Sequence, residues 1–253
     1  MIQLKNVCAG YDGEEVLHNI NLQFHPGKVT ILVGPNGCGK STLLKSIVRL
    51  NPHSAGEIIV NGENIDSYTS ATLAQQVAFL PQSRNVPDIP ALRMVLHGRF
   101  PYLTYPRRYK EADFAKAREA LRWVGMEQHE DTNVNHLSGG NQQMIYIAMA
   151  LAQDTPIVLM DEPTTYLDIS YQMRLMRQAR ELADHGKAVV LVLHDLVMAL
   201  KTADYVAVLS DGNLVTYGTP EEIYEQKVLD KVFGVRVCRV HTENGWQYYH
   251  EQL

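Results

Sequence analysis

Gly34-Pro35-Asn36-Gly37-Cys38-Gly39-Lys40-Ser41-Thr42 fits the pattern G-x-x-x-x-G-K-[ST] and follows the apolar run Val29-Thr30-Ile31-Leu32-Val33. Such a loop suits the phosphates of a nucleoside triphosphate. Its glycines let the backbone turn tightly enough for successive amide N–H groups to face one anion, at the start of a helix whose dipole also favours negative charge. In a site of this kind Lys40 reaches the β- and γ-phosphates and the Ser41 hydroxyl ligates magnesium. The loop alone serves a kinase, a GTPase or a motor equally well, and a glycine-rich turn before an ordinary helix is the plainer alternative.

Three other places carry chemistry-bearing residues. Asp161 and Glu162 are adjacent acids after the apolar run Ile157 to Met160, at the carboxyl end of a strand, where open α/β sheets place their ligands. Ser138-Gly139-Gly140-Asn141, after Leu137 and before Gln142-Gln143, opens a helix read over Met144 to Gln153. Its unpaired N–H groups and dipole repeat the physics of the phosphate loop. His194 ends the apolar run Ala188 to Leu193. A histidine there is by itself an ordinary structural residue.

The elements that must position these groups are legible in part. Pro26-Gly27, the alternation in Asn19 to Phe24, and Glu57 to Val60 with Asn61-Gly62 predict an antiparallel β layer around the loop in sequence. Ile157 to Met160 and Ala188 to Leu193 read as strands covered on both faces, alternating with helices at Ser41 to Leu50 and Tyr171 to His185. From Gln82 to about Ala152 strand signals vanish and Tyr109 to Val124 shows helical periodicity, predicting a helical insertion. Pro81, Pro87, Pro90, Pro101 and Pro106 make its entry a loop with little regular structure. Thr219-Pro220-Glu221-Glu222 starts a helix, and Val235 to Thr242 and Trp246 to Tyr249, joined by Glu243-Asn244-Gly245, read as a hairpin.

The bulk properties agree with a folded α/β chain: 253 residues, 45% hydrophobic, 20% charged, without low-complexity tracts. A net charge of −5 leaves no global footprint for nucleic acid. The nearest local patch, Arg99, Arg107, Arg108 and Lys110, reads as a solvated face. Three widely spaced cysteines argue against a disulfide framework or zinc site and fit a reducing cytoplasm. No apolar run is long enough to cross a bilayer, so the chain is expected to be neither exported nor membrane-spanning by itself.

Taken in order, these motifs resemble those of the ATP-binding cassette (ABC) ATPases over nearly the whole chain. The resemblance implies an α/β P-loop NTPase (RecA-like) core with an N-terminal antiparallel β layer and a helical subdomain. It reads residues 1–253 as one cassette, with the insertion at about 83–152 and a C-terminal helix and hairpin extension at about 219–253. It implies ATP and Mg2+ as cofactors. Gly34 to Thr42 would bind the nucleotide and Tyr11 would stack on adenine. Ser41, Asp161 and Gln82 would hold magnesium. Glu162 would orient and deprotonate the attacking water, with His194 and Gln82 as further catalytic groups. Ser138, Gly139, Gly140 and Asn141 form the signature motif, which would bind the nucleotide held by a second copy. Asp168, in Thr165-Tyr166-Leu167-Asp168, would meet the partner's phosphate loop. Asn141 and Gln142 depart from the usual Gln and Arg of that motif, and Met144 takes another commonly basic place.

The further likeness of Val95 to Leu103, with its Gly98-Arg99-Phe100-Pro101, and of Val232 to Val235 is to the iron-siderophore, haem and cobalamin importer group. The implied activity is ATP hydrolysis coupled to transport, by a homodimer of cassettes at the cytoplasmic face of the membrane. Integral-membrane permease subunits would dock near Ile89 to Tyr105. A periplasmic or extracellular substrate-binding protein would complete the system, and no nucleic acid is involved. The alternative is a soluble ABC ATPase for assembly or regulation, such as an iron–sulfur scaffold. Cys38, inside the loop beside Lys40, should make the chain sensitive to alkylation, with ATP protecting.

Overall fold

The computed structural model describes every residue except Ser83, Arg84, Tyr166, Asn244 and Leu253. Tyr166 of the 165–168 motif and Asn244 of the expected hairpin turn thus lie outside the described residues. Contacts divide the chain into two compact units, Met1–Ser67 with Gln178–Leu253, and Tyr68–Arg177.

In the first unit, β1 (Ile2–Tyr11), β2 (Glu14–Phe24), β4 (His53–Val60) and β5 (Glu63–Asn64) form an antiparallel sheet in the order β2-β1-β4-β5. Ile2, Leu4, Ile20, Leu22, Phe24, Ile58 and Val60 are buried, the period-two pattern of a sheet with one covered face. Between β2 and β4 come β3 (Val29–Val33), buried at every residue, and α1 (Lys40–Ile47). The helix stops three residues short of the expected Leu50. Arg49 takes a left-handed φ of 57° and the Leu50 N–H turns back to the Lys45 carbonyl ahead of Pro52.

The second unit contains α2 (Ser70–Ala74), β6 (Val77–Leu80), α3 (Ala91–Leu96), α4 (Glu111–Trp123), α5 (Gly139–Ala152), β7 (Ile157–Asp161) and the first part of α6 (Ile169–Asp184). β6 and β7 pair in parallel, Val77 beside Ile157 through Leu80 beside Met160. The proline-rich entry is more regular than expected. Pro90 serves as N-cap of α3, and a 3-10 helix spans His97–Tyr102 with Pro101 inside it. Three-residue turns tolerate a proline that would break an α-helix.

Nor does the expected basic patch stand as a solvated face in full. Arg99 is half-buried: its Nε donates to Asp113 Oδ1 at 3.1 Å and its Nη1 to the Ala152 carbonyl at 2.9 Å, with the guanidinium 4.0 Å from the centre of the Tyr102 ring. This guanidinium satisfies carbonyls at the end of α5, which a helix cannot pair internally.

The chain returns to the first unit through β8 (Ala188–Val192), α7 (Leu196–Thr202), β9 (Tyr205–Ser210), β10 (Asn213–Gly218), α8 (Pro220–Glu225), α9 (Val228–Phe233), β11 (Val235–Thr242) and β12 (Gly245–Gln252). β3 lies between β8 and β9, parallel to both, and β10 adds antiparallel to β9. Arg180 secures α6 here, bonding Asp204 at 2.6 Å, Asp184 at 2.9 Å and the Gly27 carbonyl at 3.1 Å. α8 begins with a capping box in which Thr219 and Glu222 satisfy each other's backbone N–H. The expected hairpin is present, Val235 opposite Gln252 through Thr242 opposite Gly245.

Candidate functional site: a phosphate loop and a carboxylate-bearing strand end

The loop from Gly34 to Gly39 leaves the buried end of β3 and closes on α1. Gly37 and Gly39 hold φ values of 79° and 100°, which L-residues rarely adopt. Gly34 is constrained by space instead: a Cβ there would run into the Leu209 carbonyl and lie 2.5 Å from Cys38 Sγ. The result is a tight concave backbone ahead of α1, whose first N–H groups have no intrahelical acceptor. Lys40 is only 5% exposed, and its Nζ bonds the Gly34 carbonyl at 2.7 Å and the Pro35 carbonyl at 2.8 Å. A buried ammonium needs such oxygens, and phosphate oxygens can take their place at the same reach. Asn36 and Gly37 are exposed, Ser41 half-buried and Thr42 buried. Thr42 Oγ1 donates to the Tyr11 hydroxyl at 3.4 Å, which places that ring, 44% exposed, beside the first turn of α1.

Cys38 lies within the turn beside Lys40. Its side chain is buried, 4% exposed, with Sγ 3.7 Å from Lys40 Nζ. A cysteine inside so tight a turn is covered by the turn itself.

In the second unit, β7 ends in Asp161, 1% exposed, and Glu162 follows at a φ of 49°. The two acids differ in setting. Glu162 is half-buried, not buried as Asp161 is. A left-handed φ at a glutamate costs energy that its neighbours must supply, and it turns the side chain out of the strand's alternation. The Glu162 carboxylate accepts from Gln82 Nε2 at 2.6 Å, so two of the residues singled out by sequence, 80 positions apart, touch.

Ser138 is the N-cap of α5, accepting from the Asn141 N–H at 3.4 Å. The helix therefore starts at Gly139, five residues before the expected Met144, because a serine cap followed by two small residues suits a first turn. Helix geometry leaves the N–H groups of Gly139 and Gly140 without intrahelical acceptors. Asp168 is exposed. The Tyr171 N–H and then the Ser170 hydroxyl hold its carboxyl below the usual carboxylate range, keeping it an anion. His194 is exposed after β8 in the first unit, with Asp195 capping α7.

Two residues that sequence reasoning passed over tie this second group together. Gln143 Nε2, in a buried side chain, donates to the Pro163 carbonyl at 2.7 Å, and the Tyr171 hydroxyl donates to Asn141 Oδ1 at 3.4 Å. Gln143 was visible as a polar residue at the edge of an apolar helical run. Nothing in the sequence pairs Tyr171 with Asn141.

The Gly34–Thr42 loop in the first unit has the form of a nucleotide-binding P-loop, and the second unit by itself carries the strand-end acids and the capped glycine helix start. The model of the ABC transporter family matches residues 17–165. The achromobactin transport ATP-binding protein CbrD of Dickeya dadantii is 39% identical over 94% of this chain and 89% of its own length. The ferric enterobactin transport ATP-binding protein FepC of Escherichia coli is 37% identical over 92% and 86%. Among solved structures, a metal-chelate type ABC transporter in an inward-facing conformation aligns with a TM-score of 0.85 at 25% identity, covering 100% of this chain and 97% of that one. A dimeric bacterial ABC transporter cassette aligns at 0.77 and 31%, covering 87% and 99%. The chain belongs to the ABC transporter family. It binds ATP, and its activity is ATP hydrolysis coupled to transport.

Proposed function

We propose that this chain is the ATP-hydrolysing subunit of an importer for an iron chelate, haem or cobalamin. The observation that carries this reading is the likeness, along more than nine-tenths of the chain, to proteins named for achromobactin and ferric enterobactin transport. Residues 1–253 act as one cassette with its helical insertion at 83–152 and its extension at 219–253. Two copies work together, docked on integral-membrane permease subunits near Ile89 to Tyr105 at the cytoplasmic face of the membrane. A separate substrate-binding protein delivers the chelate. The docking reading is supported by the surface of that segment, where Phe100 is 49% and Tyr105 97% exposed.

Residue roles follow from the chemistry of each position. Loop amides from Gly34 to Thr42 and the Lys40 ammonium bind the phosphates, and Tyr11 stacks on the base. Glu162 orients water for in-line attack and takes its proton. The Gln82 amide fixes the direction of that carboxylate, and His194 contacts the γ-phosphate and the water. Ser138, Gly139, Gly140 and Asn141 of one copy, with Asp168, meet the nucleotide and loop of the other.

The donor set fits magnesium. Ser41, the buried Asp161 and Gln82 would hold the ion through a hydroxyl, a carboxylate and an amide oxygen, the hard donors that magnesium takes. When bound, it neutralises charge developing on the phosphoryl group.

Two measurements test the proposal. Glu162→Gln should keep ATP binding and lose turnover by at least about a hundredfold, the usual worth of a general base. Unchanged turnover would refute the assignment. Native co-purification should recover the chain with a multi-span membrane protein. Recovery only as a free protein would favour an assembly or regulatory ATPase.

A further inference from the structure

Tyr171, the third residue of α6, bonds in two directions. Its backbone N–H donates to Asp168 Oδ1 at 3.0 Å, and its hydroxyl donates to Asn141 Oδ1 at 3.4 Å. Beside it, Gln172 Nε2 donates to the Leu167 carbonyl at 3.0 Å. One short segment thus holds both the aspartate after β7 and the first turn of α5. A second stitch, the buried Gln143 to the Pro163 carbonyl, joins the same two stretches.

The direction of the phenol bond has a chemical consequence. A carboxamide offers an acceptor at one end and two donors at the other. With Oδ1 taken by Tyr171, the Asn141 side chain is turned so that its nitrogen is the end left for an incoming group. That group should then be an anion, the same preference shown by the Gly139 and Gly140 N–H groups at this helix start. A carboxamide flipped the other way would present oxygen to phosphate and repel it.

We propose that Tyr171 is a positioning residue for the site completed by a second copy of this chain. It fixes the Asn141 carboxamide donor-outward and couples it to Asp168, so that Asn141 meets the partner's nucleotide while Asp168 meets the partner's phosphate loop. This rests on the reading that two copies share each nucleotide. It also gives Asn141, a departure from the family's usual glutamine, a defined role: its short carboxamide is set by a neighbour on α6.

The test uses the full chain in the Glu162→Gln background, where ATP should trap a dimer measurable by analytical ultracentrifugation. Tyr171→Phe deletes only the hydroxyl and should weaken ATP-dependent dimerisation about fivefold, the worth of one hydrogen bond between neutral groups. Binding of a fluorescent ATP analogue to the monomer, and the melting temperature, should stay as in the parent. Asn141→Ala should weaken the dimer further, and adding Tyr171→Phe to it should cost nothing more, because the hydroxyl then has nothing to orient. Unchanged dimerisation in Tyr171→Phe overturns the proposal. So do additive losses in the double variant, or a loss matched by a falling melting temperature. If Glu162→Gln itself forms no dimer with ATP, the shared-site reading fails instead.

Discussion

Gly39→Ala tests whether the phosphate loop is held by backbone conformation and by Leu17 together. Gly39 sits at φ 100°, and a Cβ added there would lie 2.5 Å from Leu17 Cδ2, in a side chain with no solvent exposure. Forcing an L-residue into left-handed backbone costs about 1–2 kcal/mol. Crowding a packed core adds about 1–3 kcal/mol. The sum is roughly 2–5 kcal/mol, a large share of the ~5–15 kcal/mol that stabilises an ordinary folded chain.

If Gly39 instead relaxes away from Leu17, the loop amides lose their common aim. Each ~1.4 kcal/mol lost in phosphate binding then lowers ATP affinity about tenfold. Urea unfolding and titration with a fluorescent ATP analogue read the two effects separately. The Leu17→Ala background separates strain from crowding. With the leucine methyls gone, Gly39→Ala should cost only the conformational part, about 1–2 kcal/mol. A cost below about 0.5 kcal/mol with unchanged ATP affinity, the range of an unremarkable surface substitution, would refute the argument.

Two further outcomes are expected. Burial pushes the Asp204 carboxyl up, but the Val29 N–H, Arg180 and Lys28 outweigh it and hold the group below the usual carboxylate range. Its stabilising effect is therefore complete above the unfolded value near pH ~3.9 and is lost as pH falls through the lower folded value. Asp204→Asn should flatten the acid side of the stability–pH curve, and an unchanged curve in acid titrations followed by circular dichroism would count against the cluster. Because Cys38 is 4% exposed, alkylation should need transient opening of the loop, so iodoacetamide should inactivate slowly and ATP should slow it further. Inactivation at the rate of a free thiol would contradict the buried position, and inactivation persisting in Cys38→Ser would point to another residue.

The proline-rich entry and the strand-end acids show where sequence reading stopped. Five prolines from Pro81 to Pro106 made the entry to the insertion read as loop, yet α3 and a 3-10 helix occupy 91–102. Proline is compatible with a helix start and with three-residue turns, and composition does not distinguish those uses from a coil. In the sequence Asp161 and Glu162 are simply adjacent acids at a strand end. Burial of the first and half-exposure of the second depend on the left-handed φ at Glu162, which one-dimensional pattern does not carry.

By itself the sequence determined what depends on neighbours along the chain. The glycine spacing of the phosphate loop, the apolar strand of β3 before it, the serine cap at 138 and the capping box of Thr219 and Glu222 are local geometry written in residue type and spacing. Only the tertiary structure decided the pairings across long separations. Gln82 meets Glu162, Arg99 closes the end of α5, and Tyr171 sets Asn141. Each such contact comes from side chains brought together when separate elements pack, and the same residues at the same spacing in an unpacked chain would have no reason to meet.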